Sequence, residues 1–123
     1  MTTDRTFTVE EANAELQELR VRLPRVRDAR QRLIDSSERI AAAVEIDGGG
    51  VAGTDHFQAQ EELKVELLWL ADHGVLLRDP ETGLVDFPAE RDGRRVFLCW
   101  RLGEDEVAWF HDEEAGFSGR RPL

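Results

Sequence analysis

Side chains able to do chemistry crowd toward the end of the sequence, where Cys99, Glu104 and His111, with Asp112, Glu113 and Glu114, fall within sixteen positions. Thiolate, imidazole and carboxylate are the ligand types of zinc and related ions, so Cys99, Glu104 and His111 are the metal candidates. The run has no Cys-x-x-Cys or His-x-x-x-His element, however, and the strand register derived below sets Cys99 and His111 on opposite faces. The reading therefore assigns no metal and no cofactor, and takes Cys99 as a packed thiol beside a rim histidine. A nucleophilic Cys99 would need a base to make thiolate, and Asp86, opposite it across a hairpin, works the other way by like-charge repulsion, with Arg101 offsetting part of this. Asp86 and Glu106 could share acid-base work, but Glu106 is expected to face Arg101 as a salt bridge. No catalytic residue is assigned. Asp86, Cys99, Arg101, Glu106 and Arg120 remain as a candidate ligand or partner patch.

Three other segments invite a functional reading. Arg20, Arg22, Arg25, Arg27, Arg30 and Arg32 form the basic cluster, a route to RNA through phosphate. At 100° per residue they flank an apolar seam in two groups, a pattern suited to pairing with a partner helix or with acidic segments. Gly48-Gly49-Gly50-Val51-Ala52-Gly53-Thr54 has the glycines of a phosphate-cradling loop but neither lysine nor preceding strand, and reads as a hinge. Gly116-Phe117-Ser118-Gly119-Arg120-Arg121 reads as a tail, its Phe117 anchored in the core and its Arg120 paired with Asp86 or Glu104.

The elements that position these residues follow from periodicity. Thr8 and Glu11 form a capping box that starts a helix. From there Val9, Ala12, Leu16, Leu19, Leu23, Val26, Arg30, Leu33, Ser37, Ile40 and Val44 recur at three- and four-residue spacing, a heptad seam that predicts one helix over about residues 9–45, kinked at Pro24. After the glycines, Thr54 or Asp55 caps a second helix over about 56–73, closed by Gly74, with Phe57, Leu63, Leu67, Leu70 and Ala71 facing the first. At 1.5 Å per residue the rods would measure roughly 55 Å and 27 Å, so half the long seam lacks a partner, and a homodimer through the long helix is expected. The period then changes to two. Val75–Asp79 and Leu84–Pro88 are strands around a Pro80 turn, and Asp92-Gly93 closes a hairpin pairing Glu90 with Arg95, Phe87 with Leu98, Asp86 with Cys99 and Val85 with Trp100. A turn at Gly103-Glu104 would pair Arg101 with Glu106, Trp100 with Val107, Leu98 with Trp109 and Val96 with His111. Val85, Phe87, Val96, Leu98, Trp100, Val107 and Trp109 then form the core face, and Asp86, Phe97, Cys99, Arg101, Glu106 and Phe110 the other. The fold expected is α+β: a helical hairpin over 9–73 packed on an antiparallel meander of three to four strands and a tail over 75–123, one domain spanning 1–123.

Gly83-Leu84-Val85-Asp86-Phe87-Pro88, Gly93-Arg94, Leu98-Cys99-Trp100-Arg101, Gly103-Glu104, Trp109-Phe110-His111, Gly116-Phe117 and Gly119-Arg120 together resemble the signature of the bacterial family called domain of unknown function 2203, and the likeness runs from Phe7-Thr8 to the C-terminus. This chain departs from the pattern in having Phe110 before the histidine, where tryptophan is usual, and Arg121 in place of glutamine. The resemblance implies a small bacterial cytosolic protein and supplies no substrate, cofactor or mechanism.

Composition narrows the function classes. The formal charge of -10 opposes general binding to nucleic acid or anionic membrane. It is uneven, with ten acids against eight bases in residues 1–53 and sixteen against eight in 54–123. One cysteine excludes an internal disulfide, and no leader-like or membrane-spanning run is read, so a reducing cytosol is the expected compartment. The leading expectation is a non-enzymatic, dimeric interaction or regulatory module with no identified small-molecule ligand. The alternatives are a small metal-binding or enzymatic protein using Cys99, Glu104 and His111, and an RNA-associated factor using Arg20 to Arg32.

Overall fold

The computed structural model describes residues 5–46 and 51–123. The side chain of Val44 and the whole of Gly48–Gly50 lie outside the described residues. Thr8 caps α1 (Val9–Ala14), accepting from the Glu11 amide while the Glu11 carboxylate accepts from the Thr8 amide. One tightened turn at Glu15 joins α1 to α2 (Leu16–Ile46), which continues unbroken past Pro24. The long first helix thus stands, and the proline does not divide it.

The second helix, α3 (Val51–Asp72), begins earlier than periodicity suggests, so Gly53, Thr54 and Asp55 lie inside it instead of forming a hinge and cap. Glycine in a helix costs up to about 1 kcal/mol relative to alanine. Offsetting that cost, Asp55 pairs with Arg32 and Arg39 of α2, and Ser36 Oγ lies 2.9 Å from His56 Nδ1. The buried face of α3 also differs from expectation. Ala59, Glu66 and Leu70 are buried with Leu63 half-buried, whereas Phe57, Leu67 and Ala71 are exposed. Glu66 is drawn inward by Arg22 and Arg25 of α2, at 3.0 and 3.6 Å, and that rotates Phe57 to the outside.

Gly74, at φ +75°, ends α3. The sheet that follows has five strands in the order β1-β2-β3-β4-β5, all antiparallel, against the three to four expected. They are β1 (Leu76–Asp79), β2 (Leu84–Arg91), β3 (Arg94–Arg101), β4 (Trp109–Asp112) and β5 (Arg121–Pro122). The β2–β3 hairpin has the expected register throughout, because Asp92 and Gly93, at φ +54° and +75°, make a tight two-residue turn whose twist matches the strands.

The β3–β4 register is shifted by one residue from expectation. Val96 pairs with Asp112, Phe97 with His111, Leu98 with Phe110 and Cys99 with Trp109. A turn does form at Gly103, but the strand does not resume until Trp109, because two local bonds and one long-range bond carry residues 102–108 off the sheet. The Glu104 carboxylate folds back onto the Arg101 amide, the Trp100 indole donates to the Glu104 carbonyl, and the Val107 amide donates to the Asn13 side chain. Pairing has a period of two, so one residue of slip exchanges the faces. Phe110 belongs to the core, Trp109 and His111 to the outer face, and Glu106 sits in the loop without the expected Arg101 pairing.

The core lies between the inner face of the sheet and the helices. Val85, Phe87, Ala89, Val96, Leu98, Trp100 and Phe110 meet Ala12, Leu16, Leu19, Leu23 and Val26 of the first rod and Leu70 of α3. Beyond Val26 the long helix leaves the sheet and turns Ala29 and Ser36 toward α3, in place of Arg30 and Ser37 of the heptad reading. The sheet covers the first half of the seam and α3 covers most of the second. On that second half Arg30, Leu33 and Ile40 are half-buried and Ser37 is exposed.

Candidate functional site

The register shift builds what the sequence reading separated. Asp86 on β2, Cys99 on β3 and His111 on β4 share the outer face, and one ligand atom from each lies within 4.8 Å of the others. All three are sealed from solvent, at 2%, 0% and 3% exposure. Each arrives there by strand alternation: Asp86 and Cys99 are cross-strand partners, and His111, opposite Phe97 on the far side of β3, leans across Cys99 to reach Asp86. Glu104, the third candidate named from sequence, is elsewhere, held by Arg120 at 2.7 Å. Asp86 takes its place, and its signal was present in the sequence as the cross-strand partner of Cys99.

Hydrogen-bond bookkeeping fixes the proton count. His111 Nδ1 lies 2.8 Å from the Asp112 carbonyl, and Nε2 lies 3.0 Å from both Asp86 oxygens. A carbonyl only accepts, so Nδ1 donates to Asp112, and Nε2 and the Asp86 carboxylate share one further proton between them. Arg78 Nε donates to the same carboxylate at 2.8 Å and shields it from solvent. Burial first, and the Asp86 carboxylate second, push the Cys99 thiol up to about 11, with Arg120 pulling the other way. At neutral pH Cys99 is a thiol, which disqualifies it as a free nucleophile.

The tail roofs this face. Between β4 and β5 a short 3-10 turn (Phe117–Gly119) brings Arg120 over Trp109 and Phe117, with guanidinium-to-ring distances of 4.7 and 4.2 Å. Phe117 is half-buried here and does not reach the core, and Arg101 stacks on its ring at 4.9 Å. Arg120 chooses Glu104 over Asp86. Burial raises the Glu104 carboxyl, but the Arg120 hydrogen bonds and the Arg101 amide outweigh it and leave the group below the usual carboxylate range. Beside the three buried groups lies a hollow of about 300 Å³ lined by Arg78, Leu84, Gly116 and Phe117, with Glu113 and Glu114 also on its wall. Of the sequence-derived patch, Asp86, Cys99 and Arg120 come together, Arg101 stands at the edge and Glu106 is absent.

Five of the six clustered arginines are committed within the chain, and Arg27 is exposed. Arg20 donates to the Asp105 carbonyl, Arg22 and Arg25 hold Glu66, Arg30 reaches Glu81 and Arg32 reaches Glu62. This is the pairing with acidic segments that their flanking positions suggest.

A helical hairpin laid across one face of an antiparallel sheet, with a buried Asp–Cys–His group on the other, defines a compact α+β class of protein. The chain belongs to the family of uncharacterized conserved proteins called DUF2203, whose model it matches over residues 5–123. No curated protein and no solved structure matches it.

Proposed function

We propose that this protein binds a divalent transition-metal ion through Asp86, Cys99 and His111. The observation that carries the reading is the convergence of a carboxylate, a thiol and an imidazole, all buried, on one face of the sheet. From sequence, an interaction module ranks first on the excess heptad seam and the lack of a convergent catalytic set, and a metal ranks low because Cys99 and His111 fall on opposite faces; the observed register removes that objection to a metal. Two further features support a metal. A ligating histidine ordinarily donates its other ring N–H to a carbonyl or carboxylate, and His111 Nδ1 already does so to Asp112. Charge also balances in both states. Without metal, Asp86 and His111 with their shared proton are neutral as a pair beside a neutral thiol; with metal, the ion's two charges cancel carboxylate and thiolate. Binding exchanges one cation for two protons, the one shared by Nε2 and Asp86 and the one on the thiol.

Bonds of roughly 2.0–2.3 Å to a tetrahedral ion set ligand atoms about 3.3–3.7 Å apart, so side-chain adjustments of about an ångström close the group. Mixed nitrogen, oxygen and sulfur ligands suit zinc, cobalt(II) and iron(II). Three protein ligands leave a fourth position, and the adjoining hollow offers it space and an arginine, Arg78, for a small anionic partner.

Cobalt(II) titration of the full chain is the test. One equivalent is expected to produce a near-ultraviolet thiolate-to-cobalt absorption, lost in Cys99→Ser and weakened at least tenfold in affinity in His111→Gln. Affinity should fall as pH falls, since both protons must leave. A folded protein that takes up none of zinc, cobalt(II) or iron(II) stoichiometrically would reduce the three residues to a structural polar network, with Arg78 and His111 neutralising Asp86.

A further inference from the structure

The outward face of α3 carries an apolar stripe that nothing in the described residues covers. Phe57, Val65 and Leu68 are 63%, 58% and 53% exposed, and at 100° per residue they fall within one arc, opposite the buried Ala59, Glu66 and Leu70. Interleaved in that arc are Glu61 and Lys64, both exposed, neither making an ion pair among the described residues. The order along the stripe is therefore Phe57, Glu61, Lys64 with Val65, Leu68. Phe57, Glu61, Lys64 and Leu68 are self-complementary under reversal, and Val65 falls opposite Gln60.

We propose that α3 is an isologous dimer interface, in which a second copy packs antiparallel about a two-fold axis passing between Glu62 and Leu63. That axis sets Phe57 of each copy against Leu68 of the other and Glu61 against Lys64, so each apolar contact and each ion pair occurs twice. It falls near the middle of the helix, which spans Val51–Asp72 and so keeps nearly equal lengths on either side. The commitment to a second copy rests on this charge and apolar symmetry, because an unrelated partner would have no reason to match the stripe read backwards. A single helix face buries less than the roughly 800 Å² per partner of a standard stable interface, so the dimer belongs to the weak, concentration-dependent class. This surface is independent of the metal reading, and either can fail without the other.

Lys64 is the only lysine in the chain, which makes a decisive experiment simple. Carbodiimide coupling in a mixture of isotopically light and heavy protein should yield peptides joining Lys64 of one isotope to Glu61 of the other. Sedimentation equilibrium should show a dimer weakened about tenfold by Glu61→Lys alone, since symmetry counts the like-charge contact twice, and restored when Lys64→Glu is added. Phe57→Ser should weaken it further, and all these positions are exposed, so the fold is not at stake. A monomer at every accessible concentration would overturn the proposal. So would a dimer indifferent to the charge swap, or one whose inter-isotope links join Lys64 to other carboxylates.

Discussion

Cys99 is chemically quiet for reasons that can be separated. It is fully buried, and its thiol is raised to about 11, so at pH 7–8 only on the order of one molecule in a thousand or fewer carries the reactive thiolate. Iodoacetamide is expected to leave native, metal-free protein unmodified over hours at neutral pH and to label it fully in denaturant, as read by intact mass; rapid native labelling would contradict the burial. Asp86 is the costlier residue to touch. It is the shared partner of Arg78 and His111, so Asp86→Asn leaves a buried His111 without its carboxylate and should cost about 3–5 kcal/mol in urea unfolding. A loss below about 1 kcal/mol would mean that the pair is not charged. The sequence revealed that Asp86 and Cys99 are neighbours, because a two-residue Asp-Gly turn leaves no freedom in register. It did not reveal His111, since adjacent aromatics at Trp109 and Phe110 satisfy an apolar face in either register.

At the scale of elements, connections decided what could be read. Short turns with their own chemistry were legible: the Thr8–Glu11 box, the Gly74 stop and the Asp92-Gly93 hairpin. Residues 102–108 were not, because their path is set by partners far away in sequence, above all Asn13 holding Val107. Two variants examine how these connections are built. Gly83 has φ +74° and an added Cβ would lie 2.8 Å from Leu102 Cβ, so Gly83→Ala should cost about 1–3 kcal/mol by combined strain and clash, measured as a shift in urea midpoint. Glu104 joins the β3–β4 loop to the roof through Arg120. Its carboxyl is held below the usual range, so its stabilisation is present above the unfolded-state value near 4.3 and disappears as pH falls through the folded-state value. Wild type should therefore lose its advantage over Glu104→Gln between about pH 5 and pH 3 when the two are compared by thermal unfolding, and an unchanged difference across that range would separate Glu104 from acid sensitivity.

Across the whole molecule, stability is concentrated at one end. The core joins the sheet to residues 7–26 of the chain's start and to Leu70, while the helices beyond Ala29 are held mainly by Ser36, His56 and exposed ion pairs such as Arg39 with Asp55. Surface pairs of this kind contribute little, typically less than about 1 kcal/mol each. Hydrogen exchange should accordingly run slowest in β2 and β3 and in α2 up to Val26, and measurably faster in α2 beyond Ser36. Uniform protection along α2 would show that the hairpin opens only with the sheet. The α+β architecture was legible because helical and strand periods occupy separate halves of the sequence. The face of α3 was not, because hydrophobicity alone assigned Phe57 inward and could not anticipate that two arginines would recruit Glu66.

The chain has three tryptophans, of which Trp100 is sealed in the core and Trp69 is stacked on His73 at 3.9 Å. The third, Trp109, stands directly across from Cys99 with Arg120 above its ring. Nature has in effect installed a lamp beside the buried thiol. Cobalt entering between Asp86 and His111 would dim its emission, and Trp109→Phe protein would lose less of its light through the same titration, so filling could be watched without any attached dye.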